Sequence, residues 1–253
     1  EATKEQVSKS AFAKDNGVKP CLKIRTQSGI EVTRTLNHPL YKGTKSIIQV
    51  GEKTQRIDEK RITRKVESNG WTKCEDLKIG DLILVPEKTN SQLNDYKISN
   101  DECKFLGYML GDGGTTINVS FTQEKNVQRE EFIQIIQNLG CVHKESNTDP
   151  NTIRVTSDEF RGSWGRNNCL NLVKEWELFG KKSTEKDIPN FVFGLSKDQK
   201  SLILNRLFAC DGYACVGKWD KTRKSESSYI GITLASKSLI DGIYFLLLSF
   251  GIR

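Results

Sequence analysis

Two Asp-Gly pairs, Asp112-Gly113 and Asp211-Gly212, carry the chemistry that this sequence suggests first. Each follows a mostly apolar stretch with helical spacing, residues 103–110 in one case and 201–209 in the other. A carboxylate at the end of a helix is electrostatically unfavourable, because the last carbonyls already place negative potential there. A cation offsets it. Two such helices side by side would bring both carboxylates to one place. Mg2+ takes one or two carboxylates and leaves its remaining positions to water and phosphate oxygens. That suits hydrolysis of a phosphodiester, which needs an activated water in line with a stabilised leaving oxygen. A single Asp-Gly is most simply a turn. Two of them, each closing an apolar helix, point to function.

The elements around the two pairs repeat. In the first copy, strand-like residues 115–122 and an amphipathic helix over 130–139 follow Asp112, and Gly140-Cys141 closes the unit. In the second, strand-like 213–218 and 229–234 and a helix over 239–250 follow Asp211, closed by Gly251-Ile252. After Gly140 the first copy continues with strand candidates at 141–144 and 152–155 and a helix around 170–178. The second copy stops at Arg253, so a matching segment is expected to lie outside this sequence. Gly107 and Gly111 share one helical face, where two small residues let another backbone approach closely.

The first ninety residues read as β structure. Residues 21–24 and 30–35 flank a Gln27-Ser28-Gly29 turn, a hairpin pattern, and 82–85 form another strand candidate. Between them, residues 41–65 are rich in Lys and Arg and read as a solvated insert able to touch phosphates. Residues 91–100 lack core-forming side chains and read as a linker to a second domain over 101–253.

Composition agrees with a polyanionic partner. Thirty-nine Lys and Arg face thirty-two Asp and Glu, a net charge of +7, and neutralising phosphates releases condensed counterions. The seven cysteines form no C-x-x-C pair, which argues against a structural zinc site and for free thiols in a reducing compartment. The longest apolar run, 239–252, contains Asp241 and is too short to span a bilayer. The expectation is an intracellular chain, in cytoplasm or nucleus, away from membranes.

The residues Phe105-Leu106-Gly107-Tyr108-Met109-Leu110-Gly111-Asp112-Gly113 resemble the first LAGLIDADG motif of intein-encoded homing endonucleases. Leu204-Asn205-Arg206-Leu207-Phe208-Ala209-Cys210-Asp211-Gly212 resemble the second. The resemblance implies an α+β domain of two αββαββα repeats, the second incomplete here. Its motif helices would pack at a pseudo-twofold axis, with Asp112 and Asp211 binding catalytic Mg2+ or Mn2+. Lys186, in Glu185-Lys186-Asp187-Ile188-Pro189, resembles the lysine of a Lys-x-Ile-Pro segment that polarises water or steadies the phosphate. Gln123 is placed beside the same site. Arg206 departs from the pattern, which has a small residue there, so its charge has to be paired or carried to the helix edge.

The same resemblance implies a monomer that cuts a long, asymmetric site in double-stranded DNA. Antiparallel strands would lie in the major groove, with Asn118, Ser120, Thr122, Gln123, Lys218, Lys221 and Arg223 as contacts. Upstream, Thr35-Leu36-Asn37-His38 resembles the T-x-x-H motif of the splicing (Hint) domain, and Trp71-Thr72 with residues 75–81 the next Hint segment. Residues 1–90 are thus expected to form a partial, mostly-β Hint domain, with Thr35 and His38 as surviving splicing residues. The chain opens on Glu1-Ala2-Thr3 and has no terminal His-Asn pair, so splicing would need residues outside it. The alternative reading is a splicing element whose endonuclease insert binds DNA but has decayed.

Overall fold

The computed structural model describes residues 14–27, 29–50, 62–84, 96–157, 167–217 and 228–252. The chain divides into two compact units, Lys9–Glu87 and the stretch Lys88–Arg253. The architecture mixes helices with antiparallel sheets, as the sequence pattern leads one to expect for an α+β protein.

In the first unit, β1 (Cys21–Arg25) and β2 (Glu31–Thr35) form the expected hairpin, with Cys21 opposite Thr35 and Arg25 opposite Glu31. The turn is closed by Thr26, whose carbonyl accepts from Gly29 N–H at 3.0 Å, and Gly29 takes a φ of 87° that few other residues adopt. The described parts of the basic stretch, residues 41–50 and 62–65, are strand. β3 (Pro39–Val50) and β4 (Ile62–Lys73) pair along their length as a twelve-residue antiparallel ribbon, and β5 (Leu82–Ile83) adds to β3. Lysine and arginine obscure the alternation of a strand, but cross-strand backbone hydrogen bonds do not depend on side-chain polarity. Tyr41 and Trp71 oppose each other with rings 4.9 Å apart.

The second unit runs α1 (Asn100–Leu110), β6 (Gly113–Gly114), β7 (Ser120–Thr122), α2 (Val127–Asn138), β8 (Cys141–Glu145), β9 (Thr152–Ser157) and α3 (Asn168–Glu175). It then starts again with α4 (Lys197–Asp211), β10 (Gly212–Cys215), β11 (Tyr229–Ile232) and α5 (Lys237–Ser249). The internal repeat of the sequence is a repeat of elements. The five α-helices among the described residues each begin on a Ser or Asn whose side chain accepts a backbone N–H of the first turn, and α1 and α4 both carry a complete capping box, Ser99 with Glu102 and Ser196 with Gln199.

One boundary differs from the sequence reading. Residues 115–122 are not one strand: β6 and β7 flank a loop, and Gly114 pairs with Ser120. Thr115 leaves the ladder because Lys181 and Gly180 claim it, its hydroxyl donating to the Lys181 carbonyl at 2.8 Å and its own carbonyl accepting Gly180 N–H at 2.8 Å. The linker also ends early. Tyr96 stacks on Phe191 at 4.1 Å between ring centroids and donates to Glu175 at 2.6 Å, fixing the approach to α1; residues 91–95 lie outside the described ones.

β6, β7, β9 and β8 form a four-stranded sheet in that order. Phe121, Ile153 and Val155 face the core, which α1 fills with Phe105, Leu106, Tyr108 and Met109. Every member of the cluster, from Tyr96 onward, belongs to this second unit. Among the described residues no helix is long and apolar enough to cross a membrane.

Candidate active site

α1 and α4 lie against each other along the faces that bear the two aspartates. Their approach is set by glycine. A Cβ on Gly107 would stand 2.5 Å from the Ile203 carbonyl oxygen and 2.8 Å from Arg206 Cβ, and one on Gly111 would stand 2.6 Å from Cys210 Cβ. These distances are closer than real atoms come, so the crossing exists only because both positions have no side chain. The Asp211 carboxylate reaches within 3.2 Å of that same Gly111 Cβ position, one residue before Asp112. The two aspartates therefore meet at the C-terminal ends of two adjoining helices.

Two polar side chains organise the meeting point. Gln123, just beyond β7, donates from Nε2 to Asp112 Oδ2 at 2.6 Å, and its Oε1 accepts from Asn126 at 3.1 Å. Lys186 is 4 % exposed, on the irregular segment between α3 and α4. Its Nζ donates to the carbonyls of Met109 at 2.8 Å, Gly111 at 2.9 Å and Gly113 at 2.7 Å, with Leu110 at 3.3 Å. An ammonium has three N–H donors, and the three shorter contacts use them. The cation that offsets the end of α1 is thus in part a protein side chain. Its backbone is held too: Ser236, the N-cap of α5, donates from Oγ to the Lys186 carbonyl at 2.7 Å.

The electrostatics are those of two carboxylates crowded together. Burial and the Asp112 charge raise the Asp211 carboxyl above its ordinary value, against the pull of Lys186. Burial draws the Lys186 ammonium down to about 8, while Asp211 and Asp112 work to keep it charged. Burial, chiefly, lifts the neighbouring Cys210 thiol to about 12, so it stays neutral.

Arg206, whose charge sits in a helix crossing, is paired. It projects to Glu131 of α2, donating from Nε to Oε2 at 2.9 Å and from Nη2 to Oε1. Neither Glu131 nor the buried Arg129 stands out in the sequence. Arg129 donates to the carbonyls of Gln123 at 3.0 Å and Pro150 at 3.1 Å and pairs with Glu145, which steadies the backbone under Gln123. No local pattern exposes these partners, because Glu131 and Arg206 lie 75 residues apart.

The remaining sequence candidates are placed as follows. Ser120 and Thr122 lie on the outer face of the four-stranded sheet, Thr122 sharing a 2.8 Å hydrogen bond with Thr152. The same face carries Arg154, opposite both Ser120 and Lys144, two cations that the sequence reading passed over. Alternation along 141–145 and 152–157 is the signal that could have found them. Asn118 is exposed in the loop between β6 and β7. Lys218, Lys221 and Arg223 fall outside the described residues. In the other unit, Thr35 and His38 form a turn, His38 N–H donating to the Thr35 carbonyl at 2.9 Å. Both line a cleft of about 340 Å³ with Asn16, Gly17, Lys19 and Cys21. None of the seven cysteines is disulfide-bonded, and among the described residues no group of three or more His, Cys, Asp or Glu gathers as a metal cage.

Comparison with known proteins gives a partial match. Residues 198–253, which hold nearly all of α4 together with β10, β11 and α5, fit the family model of a LAGLIDADG-like domain. The protein RecA of Mycobacterium tuberculosis is 26% identical over 191 residues, 72% of this chain and 22% of that protein. The replication factor C small subunit of Methanocaldococcus jannaschii is 26% identical over 242 residues, 91% of this chain and 10% of that protein. The replicative DNA helicase DnaB of Rhodothermus marinus is 21% identical over 251 residues, 94% of this chain and 23% of that protein. The chain thus spans about a fifth of the length of the RecA relatives and a tenth of the replication factor.

Proposed function

We propose that this chain is a LAGLIDADG-type homing endonuclease carried in an intein, cutting double-stranded DNA with Asp112 and Asp211. The observation that carries the reading is the pair of carboxylates at the ends of two glycine-packed helices, one of them inside the matched LAGLIDADG-like segment. The pair fits a divalent metal: burial first, and then the Asp112 charge, raises the Asp211 carboxyl above its ordinary value, and a cation bound between the carboxylates would offset both. Mg2+ or Mn2+ bound by Asp112 and Asp211 would supply a water activated for attack and charge stabilisation at the leaving oxygen.

The protein's own groups prepare that site. Gln123 fixes the Asp112 carboxylate through its 2.6 Å hydrogen bond. Lys186 holds the last turn of α1 and offsets part of the charge of two carboxylates, and this neutralisation favours approach of a phosphate. The outer face of the four-stranded sheet offers Ser120 and Thr122 to base edges and Arg154 and Lys144 to phosphates, with Asn118 at the loop beside them. Lys218, Lys221 and Arg223 would do the same for the second repeat.

The spread of relatives supports the intein part. A stretch similar to this chain lies within the protein RecA, the replication factor C small subunit and the replicative DNA helicase DnaB, and fills only 10% to 23% of each. A segment shared by proteins of such different names is an insert rather than the shared activity of its hosts. Thr35 and His38, side by side on one cleft, are then the splicing residues of a Hint-like unit. The second reading, a splicing element with a decayed insert, draws its weight from Arg206, and the ion pair with Glu131 gives that charge a place in the crossing.

Cleavage of a pooled double-stranded DNA library with Mg2+ tests the proposal. The wild-type chain should cut at one long site, and Asp112→Asn or Asp211→Asn should each lower the rate by at least ~100-fold while binding persists. Equal cutting by either variant and the wild type would sink the two-aspartate reading. Salt-sensitive binding without cutting by any of the three would favour the decayed insert.

A further inference from the structure

A cluster one helical turn back from the aspartates has no part in the chemistry described above, yet it joins three helices. Glu131 of α2 receives Arg206 of α4 through Nε and Nη2, and it receives Tyr108 of α1 through a 2.6 Å hydrogen bond to the same Oε2. Lys104, one turn earlier on α1, lies 3.4 Å from Oε1. Tyr108 stands four residues before Asp112, and Arg206 five residues before Asp211. One carboxylate is thus tied to both motif helices just behind their catalytic ends.

The origin of the Arg206 side chain makes this more than a surface ion pair. Arg206 Cβ is the atom that a side chain on Gly107 would meet at 2.8 Å, so the residue begins inside the α1–α4 crossing and leaves it sideways towards α2. A fork of two N–H donors onto one carboxylate fixes direction as well as distance. The arginine side chain is 17% exposed and the glutamate 29%, so solvent screens the pair less than a fully exposed one. Sliding or rotation of α4 along α1 would stretch these bonds.

From this geometry we infer that Arg206, acting through Glu131, sets the register of α4 on α1 and is a positioning residue for the Asp112–Asp211 pair. The kinetic part of the inference rests on the endonuclease reading; the register part does not. A misplacement of about 1 Å at reacting groups can slow a reaction on the order of 100-fold, so a register error is felt at the aspartates before it is felt in DNA binding.

The test uses the full chain with Arg206→Met, which keeps the stem and removes the fork, and Arg206→Lys, which keeps the charge. Two readouts are taken on protein that melts cooperatively: the nuclear Overhauser effect between Gly111 Hα and Cys210 Hβ, and the split between kcat and KM for DNA cleavage. The expected result for Arg206→Met is disappearance of that Overhauser effect and a kcat lower by roughly 10–100-fold with KM within about 2-fold, partly recovered in Arg206→Lys. An unchanged Gly111–Cys210 signal overturns the inference, whatever happens to thermal stability. Should the wild type cut no DNA while the signal still vanishes in Arg206→Met, the endonuclease reading falls and the register role stands. If Arg206→Met does not fold, Glu131→Gln, which preserves size and the tyrosine partner, is judged by the same signal.

Discussion

At Glu131 the balance between burial and pairing can be weighed directly. Taking the carboxylate out of water raises its pKa, but hydrogen bonds from Arg206 and Tyr108 and the charges of Arg206 and Lys104 outweigh that and hold it at about 2. The folded value lies below the ordinary 4.5, so between these two values the unfolded chain binds more protons than the folded one. The stabilisation is therefore present above pH 4.5 and is lost as pH falls towards 2. Each pKa unit corresponds to about 1.4 kcal/mol, and with some solvent screening the effect is on the order of 2 kcal/mol. Urea midpoints measured from about pH 6 down to about pH 2.5 should fall less steeply in Glu131→Gln than in the wild type; parallel curves would show that the cluster contributes nothing. Asp112 and Asp211 are visible in the sequence because each closes an apolar run with Gly behind it. Gln123 is visible from its place just past the first strand and Lys186 through the likeness of residues 185–189 to a Lys-x-Ile-Pro segment, and the structure brings both to the end of α1. Glu131 and Arg129 are not visible. Their partners come from other elements, and a charged residue on an amphipathic helix looks like any solvated one.

Elements answer to a different constraint, the distance at which two helices can lie. Gly107 faces backbone, the Ile203 carbonyl, which cannot swing aside as a flexible side chain would. Gly107→Ala would gain up to ~1 kcal/mol of helix propensity but force about 1–3 kcal/mol of overpacking. We expect a net loss of stability of about 1 kcal/mol in chemical denaturation, with a larger loss in cleavage because α4 is pushed from α1. A variant as stable and as active as the wild type would mean that the crossing has slack. The small-residue spacing of Gly107 and Gly111 is enough to foresee this close approach from sequence. Periodicity likewise marks the five described helices, and the structure extends them mainly at their N-termini, where Ser99 and Ser196 supply caps beyond the apolar run. The strands are harder. The run 115–122 alternates like a single strand, but hydrogen bonds to Gly180 and Lys181 break it into β6, a loop and β7. The long ribbon of β3 and β4 is hidden by its own lysines and arginines, since charge masks the period-two signal that marks a strand.

Among the described residues, the buried apolar core and the two aspartates fall in one unit. The buried apolar cluster among the described residues lies in the stretch from Tyr96 onward, together with both aspartates, Lys186 and the sheet that would meet DNA. In the unit Lys9–Glu87, among the side chains described, Cys74 is the one buried apolar group, and its hairpin and ribbon expose Leu22 and Trp71. Small units bury too small a share of their surface to be robust. The expectation is an asymmetric result on division. A chain of residues 88–253 should melt cooperatively and cut the same DNA site as the full chain, whereas residues 9–87 alone should show no cooperative transition. A contact between the basic ribbon and DNA would add to the dependence of affinity on salt. Each phosphate it neutralises adds about 0.9 to the slope of log affinity against log salt, so 88–253 should bind with a slope shallower by that amount for every phosphate the ribbon engages. An unaltered slope would remove the ribbon from the DNA interface and leave recognition to the sheets beside the two aspartates. A fragment 88–253 that fails to melt cooperatively would show instead that this unit draws stability from residues outside its own core.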